Sequence, residues 1–215
     1  MSVPKLDKIP KYVLKGTTTI GAVCRDGIIF ATDTRATMGY FVAHKRAKKV
    51  LKVDDHLAVT IAGAVGDAQA VVEILKANAN LFRCENGRPM PVKSAARLLA
   101  NLLFSSRIVP LLLQALVGGV DDSGPHIFAL DPLGSVTEEK CVSTGSGSPV
   151  AYGVLEGEFK ENMSEKEALP IIVKAIGSAM KRDAASGDSF DVALVTGEGY
   201  RELSEDEKKA VLANA

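Results

Sequence analysis

VLKGTTTIGAVCRDGIIFATDTR, residues 13–35, places a glycine and three consecutive threonines directly before two strand-like segments. The segments 18–24 and 27–34 are apolar or alternate between apolar and polar residues, which is typical of buried strands. Residues 25–27 between them, Arg-Asp-Gly, have the composition of a hairpin turn. The stretch therefore predicts a β-hairpin whose first strand begins at the threonines.

The rest of the chain groups its predicted helices and strands in blocks. Apolar residues at helical spacing predict helices over residues 65–85 and from Pro91, with Pro110 expected to end or bend the second. A third helical stretch follows the glycine- and serine-rich residues 143–153, and capping boxes at Ser164 and Ser204 begin two more, the first running to about Asp183. The other predicted strands are 57–63, which follows a basic segment at 44–53, then 112–120, 126–131, 134–139, 141–144 and 190–196.

This grouping argues against a doubly wound parallel sheet, in which strands and helices alternate. We predict an α+β fold in which two antiparallel sheets stack and a helix pair covers the outer face of each. Residues 17–215 are expected to form one domain, because no linker-like segment interrupts them.

Composition excludes several classes of function. The 215 residues carry equal numbers of acidic and basic side chains, which gives no electrostatic case for binding nucleic acid or a membrane surface. Residues 1–16 lack the apolar core of a secretory signal, so a cytoplasmic location is expected. The cysteines at 24, 84 and 141 are far apart and form no zinc-site pattern with histidine, so we expect free thiols, no metal and no cofactor.

Most catalytic signatures are absent, which leaves the threonine after Gly16. The three histidines have no triad-like spacing, and the loop around Gly145 lacks the glycine and lysine of a phosphate-binding motif. Cleavage between Gly16 and Thr17 would give Thr17 a free α-amine with a pKa near 7.7–8.0, able to serve as its own general base. On its own, the triplet at 17–19 is more typical of an ordinary strand start.

From Thr17 onward the chain resembles the β subunits of the archaeal 20S proteasome. The resemblance is carried by motifs in family order, namely GTTTIGAVCRDGIIFATDTRATMG (16–39), HKRAKKV (44–50), TIAGAVGDAQ (60–69), ALVGGVDDSGPHIFALDPLGS (115–135), STGSGSPVAYGVLE (143–156) and KRDAASGD (181–188). It implies a threonine peptidase with the four-layer αββα sandwich of N-terminal nucleophile (Ntn) hydrolases. Residues 1–16 would be a propeptide, removed by autocleavage at Gly16–Thr17.

The resemblance also implies a set of catalytic residues. These are Thr17 as nucleophile and base, Asp33 with Lys49 beside its hydroxyl, and Ser146, Asp183 and Ser186 around its amine. Lys49 is preferred to Lys48 because neighbours on a strand point to opposite faces. Gly63 would supply the oxyanion-hole N–H. The chain departs from the family at Asp188, where a glycine is usual.

Substrate preference and partners follow from the same resemblance. A first side-chain pocket formed by Ala36, Ala47, Leu51, Ile61, Val65 and Gln69 implies cleavage after hydrophobic residues, although ordinary core packing is an equal reading of Leu51 and Ile61. The implied partners are other β subunits in seven-membered rings, capping α-subunit rings, an ATP-dependent unfoldase and unfolded protein substrates. Two alternatives stay open: an inert β subunit that serves ring assembly, and a different Ntn-type amidohydrolase.

Overall fold

A computed structural model describes residues 16–213 of the chain. The predicted propeptide, residues 1–16, therefore lies outside the described residues except for Gly16. The strands are β1 (Thr18–Cys24), β2 (Gly27–Asp33), β3 (Ala36–Met38), β4 (Phe41–His44), β5 (Val50–Asp54), β6 (Leu57–Gly63), β7 (Leu113–Asp121), β8 (Gly124–Leu130), β9 (Val136–Glu139), β10 (Cys141–Gly145), β11 (Phe190–Thr196) and β12 (Gly199–Glu202). The helices are α1 (Val65–Asn86), α2 (Val92–Ser105), α3 (Ser148–Glu158), α4 (Glu165–Arg182) and α5 (Glu205–Leu212).

Two five-stranded antiparallel sheets form the centre of the molecule. The first has the strand order β10-β1-β2-β11-β12, and the second has the order β5-β6-β7-β8-β9. A separate two-stranded ribbon joins β3 to β4. Since each sheet is built from hairpins and antiparallel neighbours, the predicted stacking of two antiparallel sheets is confirmed.

Three hydrophobic clusters hold four layers together. Ile28, Phe30, Leu116 and Ile127 belong to the cluster between the sheets. A second cluster joins β1, β2 and β11 to α3 and α4, and a third joins β6 and β7 to α1 and α2. A strand exposes alternate residues to opposite faces, so the inner strands of both sheets are apolar on both sides. The predicted four-layer αββα sandwich is thus confirmed.

Several element predictions were incomplete. The ribbon β3–β4 and the strands β5 and β12 were not predicted from the sequence. In β5, Lys52 is exposed between the buried Val50 and Val53, and the basic residues of segment 44–53 concealed that strand. Helix α2 ends at Ser105, ahead of Pro110, because Ser106 and Arg107 N–H groups turn back to the carbonyls three residues earlier. The capping boxes predicted at Ser164 and Ser204 are both present.

Strand register brings distant residues to one end of the first sheet. Thr18, which opens β1, pairs with Gly145 at the end of β10. Thr19 pairs with Thr32, so the end of β2 at Asp33 lies beside the same corner. Phe190 of β11 pairs with Asp33 and brings up the loop that follows α4. Residues far apart in sequence therefore surround Thr17.

Candidate active site

Thr17 is buried and is held by different partners at its nitrogen and its hydroxyl. The residue directly precedes β1, and only 3% of it is exposed. Its backbone N–H donates to Ser146 Oγ at 3.2 Å, and its hydroxyl donates to Asp33 Oδ1 at 3.2 Å. Gly145 makes this approach possible: at its φ of +91°, a Cβ would lie 2.1 Å from the Thr17 carbonyl oxygen.

Asp33 is the centre of the hydrogen-bond network on the hydroxyl side. The residue is fully buried, and its Oδ1 also accepts the Thr18 N–H at 2.9 Å. Oδ2 accepts the N–H groups of Arg35 and Gly187 at 3.0 and 3.1 Å. The Lys49 ammonium completes the set at 2.6 Å from Oδ1. A buried carboxylate requires this number of donors because it has left water.

Lys49 and Lys48 differ in exposure and in partner. The Lys49 side chain is 9% exposed and faces Asp33, whereas Lys48 is 54% exposed and pairs with Glu202. Both precede β5 rather than lie on it, so strand alternation was the wrong reason for the prediction. Burial lowers the pKa of Lys49 from its ordinary value, and the adjacent Asp33 carboxylate opposes that shift.

A second carboxylate, Asp183, organises the nitrogen side of Thr17. Its Oδ2 accepts hydroxyl hydrogen bonds from Ser146 at 2.5 Å and from Ser186 at 2.6 Å. Since the Ser186 proton is directed at Asp183, the Thr18 hydroxyl donates to Ser186 Oγ across 2.7 Å. The Ser146 oxygen is correspondingly left to accept from the Thr17 nitrogen. The six residues predicted as catalytic therefore lie in one hydrogen-bonded cluster.

Arg35 belongs to this cluster although the sequence reasoning did not select it. Its guanidinium donates to Asp188 Oδ2 at 2.9 Å and to the Ala184 carbonyl at 2.8 Å. These bonds clamp the loop 183–188, which supplies Ser186 and the Gly187 N–H. Asp188 takes the left-handed conformation, with φ +65°, that a glycine would adopt more easily. The departure from the family pattern thus adds a salt bridge and leaves the network intact.

Gly63 lies where β6 gives way to α1. Its φ is +140°, and a Cβ there would come within 2.0 Å of the Leu112 carbonyl oxygen. Only glycine fits such a position without moving the backbone of the neighbouring chain segment. Gly63, Thr17 and Lys49 all line the same pocket.

That pocket has a volume of about 330 Å³ and opens beside the threonine. Its lining includes every residue predicted for it from the sequence, namely Ala36, Ala47, Leu51, Ile61, Val65 and Gln69. Ile61 belongs at the same time to the core beneath α1 and α2, and Leu51 packs against that core. Leu51 and Ile61 therefore line the pocket and also pack with the core, so the two readings of these residues are both correct.

The described residues offer no sign of two other kinds of site, a metal centre and a membrane span. Residues 16–213 contain no cluster of three or more histidine, cysteine, aspartate or glutamate side chains able to hold a metal ion. None of the helices within the same range combines the length and apolar character needed to cross a membrane. The groups that surround Thr17 are hydroxyls, carboxylates, one ammonium and backbone N–H groups, which is a set suited to nucleophilic and proton-transfer chemistry.

Comparison with known proteins decides the family. The proteasome subunit family matches residues 13–195. The chain belongs to the proteasome subunit family. The proteasome subunit beta of Methanothermobacter thermautotrophicus is 50% identical over 205 residues, which is 95% of this chain and 98% of the relative.

Further relatives agree with this placement among the β subunits of the 20S core. The proteasome subunit beta of Methanocaldococcus vulcanius is 51% identical over 94% of this chain and 91% of its own length. That of Methanosarcina barkeri is 49% identical over 95% of this chain and 97% of its own length. The resemblance drawn from the sequence is thereby confirmed at the level of the family.

Proposed function

We propose that the chain is a catalytic β subunit of the proteasome core, a threonine peptidase whose nucleophile is Thr17. One observation carries this proposal: the Thr17 nitrogen and hydroxyl are engaged by two separate carboxylate networks, through Ser146–Asp183 and through Asp33–Lys49. An inert subunit would have no need of a threonine whose nitrogen and hydroxyl are both held in this way. The identity with proteasome β subunits adds support.

The free α-amine of Thr17 would be the general base. Because Ser146 donates its own proton to Asp183, its oxygen accepts one amine N–H and leaves the amine lone pair for the Thr17 hydroxyl proton. An α-amine has a reference pKa of about 7.7–8.0, so a substantial share is neutral near physiological pH. The amine takes the proton as the Thr17 oxygen forms its bond to the substrate carbonyl carbon.

Lys49 would stabilise the negative charge that develops on the Thr17 oxygen. The ammonium shares Asp33 Oδ1 with the Thr17 hydroxyl, which keeps the cation beside the nucleophile. The Gly63 N–H would stabilise the oxygen of the tetrahedral intermediate. The leaving amine takes the proton from the Thr17 α-ammonium, and a water molecule then hydrolyses the acyl-enzyme. Losing one oxyanion-hole donor typically slows catalysis by ~10²–10³-fold.

The Thr17 hydroxyl would also remove residues 1–16, by attack on the Gly16 carbonyl carbon. The C–N bond breaks as the Thr17 nitrogen takes the hydroxyl proton, and water then hydrolyses the ester that joins residues 1–16 to Thr17. As long as Gly16 is joined to Thr17, the nitrogen is an amide without basicity, so the enzyme is masked. The absence of a side chain at Gly16 keeps the cleavable bond close to the loop 183–188, where Ala185 leaves no room for a Cβ. Once residues 1–16 are removed, the enzyme would cleave substrates preferentially after hydrophobic residues, because the pocket beside Thr17 is mainly apolar.

The decisive experiment is the intact mass of this subunit after co-assembly with α subunits from the same organism. Wild-type chain beginning at Thr17, together with Thr17→Ala retaining residues 1–16, would support self-processing. Thr17→Ser keeps a hydroxyl and is expected to be processed, so it separates loss of the nucleophile from loss of folding. Peptidase activity of the same particles is measured with a fluorogenic peptide that ends in a hydrophobic residue.

An unprocessed wild-type chain in finished, inactive particles would contradict the proposal. That result would leave a subunit whose role is ring assembly. Activity towards small amides by an unassembled chain would instead indicate a different Ntn-type hydrolase.

A further inference from the structure

The pocket beside Thr17 has an apolar interior and a basic rim. The residues that line it include Arg35, His44, Arg46 and Lys48, in addition to Lys49 beside Thr17. Among its described lining residues, none is an aspartate or glutamate. A concave surface lined by one sign of charge concentrates ligands of the opposite sign. The basic residues at this rim therefore favour negatively charged groups of a substrate, which the apolar lining does not.

Three of the basic residues that line the pocket are already paired with carboxylates. Lys49 pairs with Asp33, Lys48 with Glu202 at 2.5 Å, and Arg35 with Asp188 at 2.9 Å. These carboxylates are absent from the pocket lining. The charges of these three cations are therefore largely balanced by their partners.

Arg46 differs from these three because no carboxylate in residues 16–213 lies within ion-pair distance of it. It is exposed, and it acts on Glu205 only through space. A peptide carboxylate that meets Arg46 would not have to displace an existing partner. Arg46 is consequently the cation at the rim that is best able to form an ion pair with a substrate carboxylate.

We propose that this basic rim, and Arg46 in particular, gives the peptidase a preference for substrates with an acidic side chain within two residues of the hydrophobic one. The inference rests on the proposed function of Thr17. The carboxylate cannot occupy the apolar interior without losing its hydration, so it lies beside the pocket. Two residues of extended peptide span at most about 7 Å, which limits how far along the substrate the rim can act.

The test uses assembled wild-type particles and peptides with one hydrophobic residue flanked at each position by aspartate, asparagine or lysine. For at least one position, kcat/KM is expected to be about two- to fivefold higher with aspartate than with lysine, as for a partly exposed ion pair. Raising the ionic strength to about 1 M should bring this ratio close to one, because screening then acts within about 3 Å.

Variants assign the preference to the rim. Arg46→Ala should lower the ratio towards one, and Arg46→Lys should retain most of it. Lys45→Ala is the matched control. It removes the same charge from the residue next to Arg46, and Lys45 does not line the pocket. A wild-type ratio of one, an unchanged ratio in Arg46→Ala, or an equal loss in Lys45→Ala would overturn the proposal.

Failure of the proposed function gives a different result. In that case no peptide of any sequence is hydrolysed by wild-type particles. The same peptides, fluorescently labelled, are then measured for binding to those particles, and the ratio of dissociation constants for the aspartate and lysine peptides decides the role of the rim by the same criteria.

Discussion

Lys49 Nζ lies 2.6 Å from Asp33 Oδ1, the same oxygen that accepts the Thr17 hydroxyl at 3.2 Å. Both side chains of this ion pair are almost fully removed from solvent. Neither charge has another oppositely charged side chain at that distance within residues 16–213. The pair therefore combines two tasks: it balances both charges in a buried site, and it places a cation next to the hydroxyl of Thr17, the proposed nucleophile.

Breaking this pair on one side should destabilise the assembled particle. Asp33→Asn leaves the Lys49 charge buried without its partner, which typically costs about 3–5 kcal/mol. The double variant Asp33→Asn with Lys49→Met should recover part of that loss, because the uncompensated charge is gone. Thermal unfolding of the three variants forms a double-mutant cycle. Additive effects would contradict the coupling inferred from the geometry.

Catalysis should not recover along with stability. Since Lys49→Met removes the cation beside the Thr17 oxygen, peptidase activity is expected to stay at or below about one per cent of wild type, the scale of losing one charge-stabilising donor. Activity of the stability-restored double variant therefore separates the two tasks of the pair. Near-normal activity there would show that Lys49 serves folding alone.

Processing should depend on the missing side chain of Gly16. In Gly16→Ala the new Cβ would lie 1.8 Å from the Ala185 Cβ, so the peptide bond before Thr17 must move. We expect removal of residues 1–16 to be slowed at least about tenfold, as for a misplacement of the reacting groups by about 1 Å. Intact mass followed over time during assembly provides the measurement.

A compensating substitution tests the cause of that delay. Ala185→Gly removes the atom in the clash, so Gly16→Ala combined with Ala185→Gly should be processed faster than Gly16→Ala alone. Ala185→Gly by itself is the control. If the double variant is as slow as the single one, contact with Ala185 is not the reason that glycine is required.

Two neighbouring glycines offer a matched comparison of backbone tolerance. Gly63→Ala should prevent formation of stable particles, because its Cβ would lie 2.0 Å from a backbone carbonyl oxygen. Gly66→Ala, in the first turn of α1, meets nothing within 4 Å and should stabilise the helix by about 0.5–1 kcal/mol. Particle yield and melting temperature distinguish them. Equal behaviour of the two variants would contradict the close approach at Gly63.

Thiol reactivity should follow burial. Desolvation, with smaller effects of nearby acidic groups, raises the pKa of Cys24 and of Cys141 to about 12, whereas Cys84 is exposed. At pH 8 an alkylating reagent should modify Cys84 alone in the native protein and all three cysteines after unfolding. Peptide mapping by mass spectrometry gives the result. Modification of Cys24 at the rate of Cys84 would mean that the first sheet opens readily.

The same two thiols give stability a defined dependence on alkaline pH. Their ordinary pKa is 9.0, so in the unfolded chain they lose protons above that pH while the folded chain keeps them to about 12. Stability is therefore unaffected by them below pH 9 and falls as pH rises from 9 to 12. Replacing both by alanine should flatten this slope, which urea unfolding at several pH values can measure.

The sequence carried much of the architecture because its periodicities match the layers. Apolar runs such as 18–24 lie in strands buried on both faces, and the helical spacing over 65–85 matches α1 almost to the residue. β5 escaped prediction since its lysine-rich approach resembles a solvated surface. Local pattern cannot reveal that Lys49, just before β5, pairs with the buried carboxylate of Asp33 on β2.

The candidate site was likewise predicted only in part from the sequence. Motif resemblance selected Thr17, Asp33 and Lys49, and these lie together in the structure. It did not select Arg35, whose bonds to Ala184 and Asp188 connect segments separated by about 150 residues. Thr18 was not selected either, because nothing in the sequence indicates that its hydroxyl forms a hydrogen bond with Ser186. Contacts between side chains of distant segments are decided by packing, which a single sequence does not express.

The wide sequence separation within the Thr17 cluster sets the order of events during synthesis. Thr17 and Asp33 are 16 residues apart and can meet in the first hairpin, but Ser146 stands 129 residues after Thr17, and Ser186 stands 168 residues after Thr18. A nascent chain on the ribosome thus lacks half of the network until nearly all of it has emerged. The sheet that holds Thr17 in place closes only when β10 and β11 have been made. If Thr17 is the nucleophile, as proposed, a truncated or stalled chain would carry it without the groups that hold its nitrogen, so the strand order would delay activity until the domain is complete.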